Sequence, residues 1–397
     1  MPHFTDNSSR EFEALRLAAR LPLDDAQQLQ LAALASTQIN ADELTRLAIR
    51  HGVAPLLAHH LHCHCPALLT PALQQYAQRN AIRAQFLTQA LVEMLQAFAQ
   101  AGIQAVPFKG PALALAAYGA LGWRDFCDLD VLVHPAQLDE AERVCVAHGF
   151  TRKRRFAQDH DADVRRFNYD LPMMRQRDGV VIELHWALTF NYAGVLFERL
   201  KWHETLTTIA LNKRAAPAPA LASEETLLLL CLHGSKDGWD KLKLPADVAQ
   251  LLRATPAFDW PRCWRLARDI RAEQLVRIAL RLADELLDAP LPDELRAALR
   301  ADASLVAPLR HAAALLLNEQ DAAETVIARH AFFLQTQRRW WEKLRYCARY
   351  ALTPGSTEWQ RIQLPASLSA GYRLLRLARL TKFYGLRWLT AGASEKS

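Results

Sequence analysis

The chain has 397 residues, 51% of them hydrophobic and 23% charged, with a formal net charge of +6. This is the balance of a folded soluble protein long enough for two or three domains, and a mildly basic charge does not by itself imply nucleic acid. No apolar run reaches the length of a membrane span, and the seven cysteines are scattered and odd in number, which fits a reducing cytoplasm better than a disulfide framework.

Glycine is scarce, at 14 residues, so helix is favoured over sheet for most of the length. The opening residues, Met1-Pro2-His3-Phe4, lack a basic region followed by an apolar one, so no signal peptide is expected. Residues 1–100 read as an N-terminal helical cap. Ser8-Ser9-Arg10-Glu11 has the form of a capping box and should start a helix at Ser9. Phe12, Leu15, Ala18 and Ala19 give that helix an apolar face, and Pro22 ends it. Further helices are predicted from Asp24 to Ala35, Asp42 to His51 and Pro71 to Gln100. The last carries Ile82, Phe86, Leu87, Leu91, Met94, Leu95 and Phe98 at helical spacing. His59, His60, His62, Cys63, His64 and Cys65 are metal-ligand types. A zinc site needs a second pair well downstream, so a helix end with surface histidines is the preferred reading.

Residues 101–213 read as an α/β core. Ile103 to Phe108 is an apolar strand that runs into Lys109-Gly110-Pro111. Ala112 to Leu121 is a short helix. Arg124-Asp125-Phe126-Cys127-Asp128-Leu129-Asp130-Val131-Leu132-Val133 is a second strand. Side chains alternate across a strand, so Asp128 and Asp130 share a face, while Leu129, Val131 and Val133 take the other. Two neighbouring carboxylates repel unless a cation stands between them. A divalent metal is the natural candidate. Oxygen ligands on a rigid strand suit Mg²⁺, which keeps waters and completes its shell with substrate phosphates.

A helix should follow from Pro135 to His148, closed by Gly149. Phe150 to Arg155, Asn168 to Gln176 and Val180 to Trp186 are strands, the last two joined at Asp178-Gly179. Residues 152–166 read as a solvated loop or cleft lip. Glu183 and His185 share one face of the last strand. A carboxylate in an apolar strand needs a reason, because burying it unpaired is costly. Metal binding is one reason; a strand at a sheet edge, with Glu183 in water, is the other.

Lys109-Gly110, a helix, Arg124, and then Asp128-Leu129-Asp130 before three apolar residues resemble the nucleotidyltransferase superfamily of the DNA polymerase β type. More narrowly, they resemble the bacterial group known only as uncharacterised nucleotidyltransferases. Arg50-His51-Gly52-Val53-Ala54-Pro55 and Ile182-Glu183-Leu184-His185-Trp186 are similar to the same group. The resemblance implies an α+β fold, with a small mixed-sheet core flanked by N-terminal and C-terminal helical domains. It implies transfer of a nucleoside monophosphate from an NTP to an acceptor hydroxyl, with release of pyrophosphate. Asp128, Asp130 and Glu183 would hold two Mg²⁺, and the turn at Gly110 would hold the triphosphate, with Lys109 or Arg124 adding charge. The chain departs from the wider pattern at Pro111, where most members carry serine; proline removes one N–H donor. His185, beside Glu183 on the same strand face, is expected with Lys109, Gly110 and Arg124 among the nucleotide-binding residues. His233, Lys236 and Asp247 match polar positions of the family's helical part, facing nucleotide or acceptor, and each also reads as an ordinary helix-end residue. A catalytically degenerate module that binds nucleotide or a protein partner is the competing reading.

Arg214 to Ala220, rich in Ala and Pro, reads as a linker. Ser223 should then cap a helix whose first turn holds Glu224 and Glu225. Residues 220–335 form a helical domain and 336–397 a basic, aromatic-rich helical tail. In the tail, Leu374, Leu377, Ala378, Tyr384, Trp388 and Leu389 share an apolar half and the basic residues lie mostly on the other. Such a helix covers its own domain, docks a protein, or lies on an anionic membrane surface. No RNA- or DNA-binding motif accompanies the charge. The acceptor is open among sugar, peptide and protein, and the location expected is cytoplasmic, with a peripheral membrane contact through the tail as an option.

Overall fold

The computed structural model describes residues 9–153, 165, 168–188, 193–213, 215–317, 322–354, 358, 362, 364, 368 and 370–394. Helices open it. Ser9 caps α1 (Arg10–Ala18), its hydroxyl accepting the Phe12 N–H at 3.2 Å. α2 (Asp25–Ala35) carries a full capping box between Asp24 and Gln27. α3 (Ala41–His51) ends at Gly52 in the left-handed region, with φ of 69°. Glu11, expected to close a box on α1, instead accepts the Asn40 N–H at the start of α3. α4 (Ala54–His64) and the 30-residue α5 (Pro71–Gln100) follow. Its run of helix-forming residues with Pro71 at the first turn explains why α5 keeps the expected bounds.

Five short strands come next: β1 (Ala105–Pro107), β2 (Leu129–Val133), β3 (Phe150–Arg152), β4 (Asp170–Arg175) and β5 (Val181–His185). They pair in the order β1-β2-β5-β4-β3. β2 and β5 are parallel, with Asp130 opposite Glu183 and Leu132 opposite His185; the other pairs are antiparallel. α6 (Gly110–Tyr118) joins β1 to β2, and α7 (Leu138–Ala147) follows β2 after a single 3₁₀ turn. Period-two alternation then sorts the faces. Leu129, Val131, Ile182 and Leu184 pack with Leu91, Met94 and Phe98 of α5. The opposite face of the same two strands carries Asp130, Glu183 and His185 towards the helical half of the molecule.

β6 (Leu206–Ile209) and β7 (Ala218–Leu221) form a separate two-stranded ribbon. The end of the segment expected as a linker is thus a paired strand. The chain continues as α8 (Ser223–Lys236), α9 (Lys243–Ala254), α10 (Trp260–Asp269), α11 (Glu273–Leu287) and α12 (Asp293–Ala301). α13 (Val306–Leu317), α14 (Ala322–Thr336), α15 (Trp340–Leu352) and α16 (Gly371–Ser394) complete it. Ser223 opens α8 without capping it; its hydroxyl meets that of Thr255 at 3.1 Å. Glu224 and Glu225 do lie in the first turn, where both hold Arg262. Phe12, Leu15 and Leu57 share one continuous apolar core with Tyr118, Leu132, Leu227, Leu280 and Phe332. The result is an α+β fold, a mixed sheet with helices before and after it.

No helix among the described residues is long and apolar enough to cross a membrane. In α16 the basic side does not simply face solvent. Arg376 and Arg379 both turn to the buried carboxylate of Glu358, and the Arg376 guanidinium lies 4.5 Å from the Tyr350 ring centroid. The Tyr372 hydroxyl, also buried, donates to the Ile362 carbonyl at 3.0 Å. Leu374 is left 70% exposed. A buried carboxylate needs its cations, and Arg376 and Arg379 supply them; the side chains of Tyr384, Trp388 and Leu389 lie outside the described residues. Glu358→Gln should therefore loosen α16, and trypsin should cut at Arg373, Arg379 or Lys382 at least about tenfold faster than in wild type. An unchanged cleavage rate would show that the ion pairs do not hold the helix.

Candidate active site

Lys109 leaves β1 at a turn that favours glycine. Gly110 has φ of 52°, and a Cβ there would stand 3.3 Å from the Asp128 carbonyl oxygen. The turn therefore lies against the backbone that leads into β2. It sends the Lys109 ammonium to Asp130 Oδ1 at 2.8 Å. His185 Nε2 reaches the same oxygen at 3.0 Å and Glu183 Oε2 at 3.4 Å. The cation expected between the carboxylates is, at Asp130, the chain's own lysine.

The His185 ring stands edge-on to Phe108, with centroids 5.1 Å apart, and stacks on Tyr169 at 6.2 Å. Its Nδ1 is buried without a partner. Nε2 faces two carboxylate oxygens and therefore carries a proton, so His185 donates to both. Burial works against its charge, but its bonds to Asp130 and Glu183 win and raise its pKa. Burial alone would push Asp130 up; the Lys109 charge and the His185 bond hold it well below the usual carboxylate range. Glu183 is opposed by burial too and is lowered by the His185 bond.

Asp128 behaves differently. It is half-buried just ahead of β2 and has no hydrogen-bond or ion-pair partner among the described residues. Burial raises its pKa, the Asp130 charge raises it further, and Lys109 only partly offsets them. Among the described residues Asp128, expected as a metal ligand, is not part of the close group that Asp130, Glu183 and His185 form, and two of that group's three donors are carboxylates, which fits a divalent metal. The ligand atoms of Asp130, Glu183 and His185 lie within 4.8 Å of one another and could hold a metal ion.

Arg124 stands elsewhere. Its guanidinium forms a two-pronged pair with Asp247, Nε to Oδ1 at 2.9 Å and Nη2 to Oδ2 at 2.8 Å. The Tyr118 hydroxyl donates to the same carboxylate at 2.9 Å. Arg124 and Asp247 are both buried, so they join the loop before β2 to α9 rather than meeting Asp128.

α8 brings His233 and Lys236 to the same region. Lys236 donates to the Tyr169 hydroxyl at 3.2 Å, beside the ring stacked on His185. Burial and then the charges of Lys109 and Lys236 push His233 well below its ordinary pKa, with Lys243 adding to them. Lys243 was not singled out from the sequence. Its stem crosses Gly52, where a Cβ would stand 2.6 Å from its Cδ. Its ammonium, lowered by burial and by Arg124, has no ion-pair partner among the described residues. A signal existed: a lysine in the first turn of a helix opposes the dipole and needs another reason to be there.

The histidine run on α4 forms no metal-ligand group among the described residues. His60, expected on the surface, is buried, with Nε2 at 2.8 Å from the Arg20 carbonyl, and burial drops its pKa to about 4.

A known family coincides with these elements. The chain belongs to a family of uncharacterised nucleotidyltransferases, whose model matches residues 37–288, from the loop after α2 to the end of α11. No curated protein matches the chain.

Two outcomes follow from the geometry. Asp247→Asn removes the counter-charge of a buried guanidinium and should cost about 3–5 kcal/mol, read as a lower urea midpoint; a loss under about 1 kcal/mol would mean that solvent reaches Arg124. His185 has a raised folded pKa, so in EDTA its stabilisation is complete below about pH 6.5 and fades as pH rises through the folded value. The stability gap between wild type and His185→Gln should shrink as pH rises above about 6.5, the ordinary imidazole value. A gap that widens instead would contradict the assigned donor role.

Proposed function

We propose that the acidic site on this sheet face transfers a nucleotidyl group from an NTP to an acceptor hydroxyl and releases pyrophosphate. The observation that supports the reading is Asp128: a carboxylate without a partner among the described residues, within electrostatic reach of Asp130, Glu183, Lys109 and Lys243. Asp128, Asp130 and Glu183 would hold Mg²⁺, two ions as in the wider superfamily, lowering the pKa of the acceptor hydroxyl and neutralising the triphosphate. His185 would orient Asp130 and Glu183 through its Nε2–H. Pro111 removes one donor from the phosphate turn, and Lys109, Lys236 and Lys243 supply cationic charge in compensation. A neutral His233 would offer a hydrogen bond to nucleotide or acceptor without adding to that charge. The acceptor oxygen bonds to the α-phosphorus as the bond to pyrophosphate breaks, and the carboxylate cluster takes the hydroxyl proton.

Lys109 on Asp130 favours one alternative, a module that binds nucleotide without chemistry. Asp128→Asn separates the two. Removing an unpaired repelling charge should leave melting in EDTA no lower than wild type. The variant should lose the Mg-NTP stabilisation seen in wild type, about 2.7 kcal/mol at a hundredfold excess over Kd, and pyrophosphate release should fall about a hundredfold or more. Asp130→Asn should melt lower even in EDTA, because it strands Lys109. Stabilisation of wild type without pyrophosphate from any NTP would leave the binding module; neither stabilisation nor turnover would defeat both readings.

A further inference from the structure

A cavity of about 320 Å³ lies among residues 193–195, the turn between α10 and α11, and the turn between α14 and α15. It shares no residue with the acidic cleft. Arg268, Arg271, Arg277, Arg338 and Arg345 line it, against Glu273 and Glu342. The carboxylates are largely engaged. Glu273 pairs with Arg268 at 3.4 Å, and Glu342 accepts the Arg339 N–H at 3.0 Å to cap α15. Arg277 pairs with Asp302 at 2.7 Å, yet its Nε is buried without a partner. Arg271, Arg338 and Arg345 have no ion-pair partner among the described residues. Scattered arginines on a convex surface need no explanation, but guanidinium groups gathered around one concavity repel until an anion joins them.

The backbone adds a second observation. Arg271 ends α10 in the left-handed region, with φ of 59°. The Ala272 N–H closes back on the Ala267 carbonyl at 2.7 Å, the hydrogen bonding of a helix end at which glycine is the unstrained residue. Arginine there accepts backbone strain, and strain of this kind gathers at functional positions.

We propose that this cavity binds a small phosphorylated ligand carrying at least two negative charges, separately from the nucleotide cleft. Guanidinium forks match phosphate oxygens two at a time, and the volume is that of a small-ligand site. Arg271 would contact the ligand directly, with Arg338 and Arg345 closing the charge around it. The inference does not depend on whether the cleft is catalytic.

The test uses the full chain in EDTA, titrated calorimetrically with inorganic pyrophosphate, with sodium chloride at equal ionic strength as the control. Wild type should bind pyrophosphate saturably and chloride not at all. Arg271→Gly is the decisive variant, because glycine relieves the backbone while removing the guanidinium. It should melt higher than wild type and bind pyrophosphate at least about tenfold more weakly. A Lys236→Ala/Lys243→Ala variant, altered only at the acidic site, should keep the binding that Arg271→Gly weakens, losing at most a second pyrophosphate held at the acidic site. Absence of saturable binding, chloride acting equally, loss of all binding in the lysine variant, or unchanged affinity in Arg271→Gly would each overturn the proposal.

Discussion

Asp130 is a buried carboxylate on a central strand, and the site is arranged around keeping it charged. Lys109 from β1 and His185 from β5 share its Oδ1, at 2.8 and 3.0 Å. A carboxylate so placed without them would take up a proton or move to water. The parallel pairing of β2 and β5 is what makes this possible, since it sets Asp130 beside Glu183 and brings His185 within reach of both. The glycine turn after β1 completes it from the other side. Asp128 is outside the arrangement, and the contrast gives the site its polarity: one neutralised carboxylate, and one without a partner among the described residues.

The second charged unit is structural. Arg124, Asp247 and Tyr118 form a buried ionic brace between the strand-entry loop, α9 and α6. It places α9, and with it Lys243, relative to β2. Two buried ion pairs thus divide the work, since one conditions the chemistry of the sheet face and the other sets the distance between that face and the helices opposite.

Local pattern showed much of this in advance. Pro71 and Gln100 bounded α5 because helix propensity acts within a few turns, and period-two alternation put Glu183 and His185 on one face. What stayed hidden was long-range. Arg124 and Asp247 are 123 positions apart, and no local rule distinguishes a phosphate-binding arginine from one committed to a distant aspartate. The sequence suggested a metal as the counter-charge for Asp130, and the structure puts Lys109 there, because the reach of a lysine across a glycine turn depends on strand order. Glu11 and Ser223 fit capping patterns and took distant partners instead, since tertiary contacts outweigh caps worth about 1 kcal/mol. Residues 154–164 and most of those between 355 and 369, including much of the expected cleft lip, lie outside the described residues.

The shared core also imposes an order in time. Arg16 donates to the Leu286 carbonyl at 3.2 Å across 270 positions, and Arg20 reaches Asp288. The first helices are therefore synthesised long before the helices that bury them. At about 5–20 residues per second, the interval is roughly 15–50 s. During it Phe12, Leu15 and Leu57 have no α11 to cover them, and a slow, non-local closure of this kind exposes apolar surface to neighbouring chains. Over that window the emerging chain exposes the kind of apolar surface that favours aggregation, so the risk lies in how long the closure takes as well as in the stability of the finished fold.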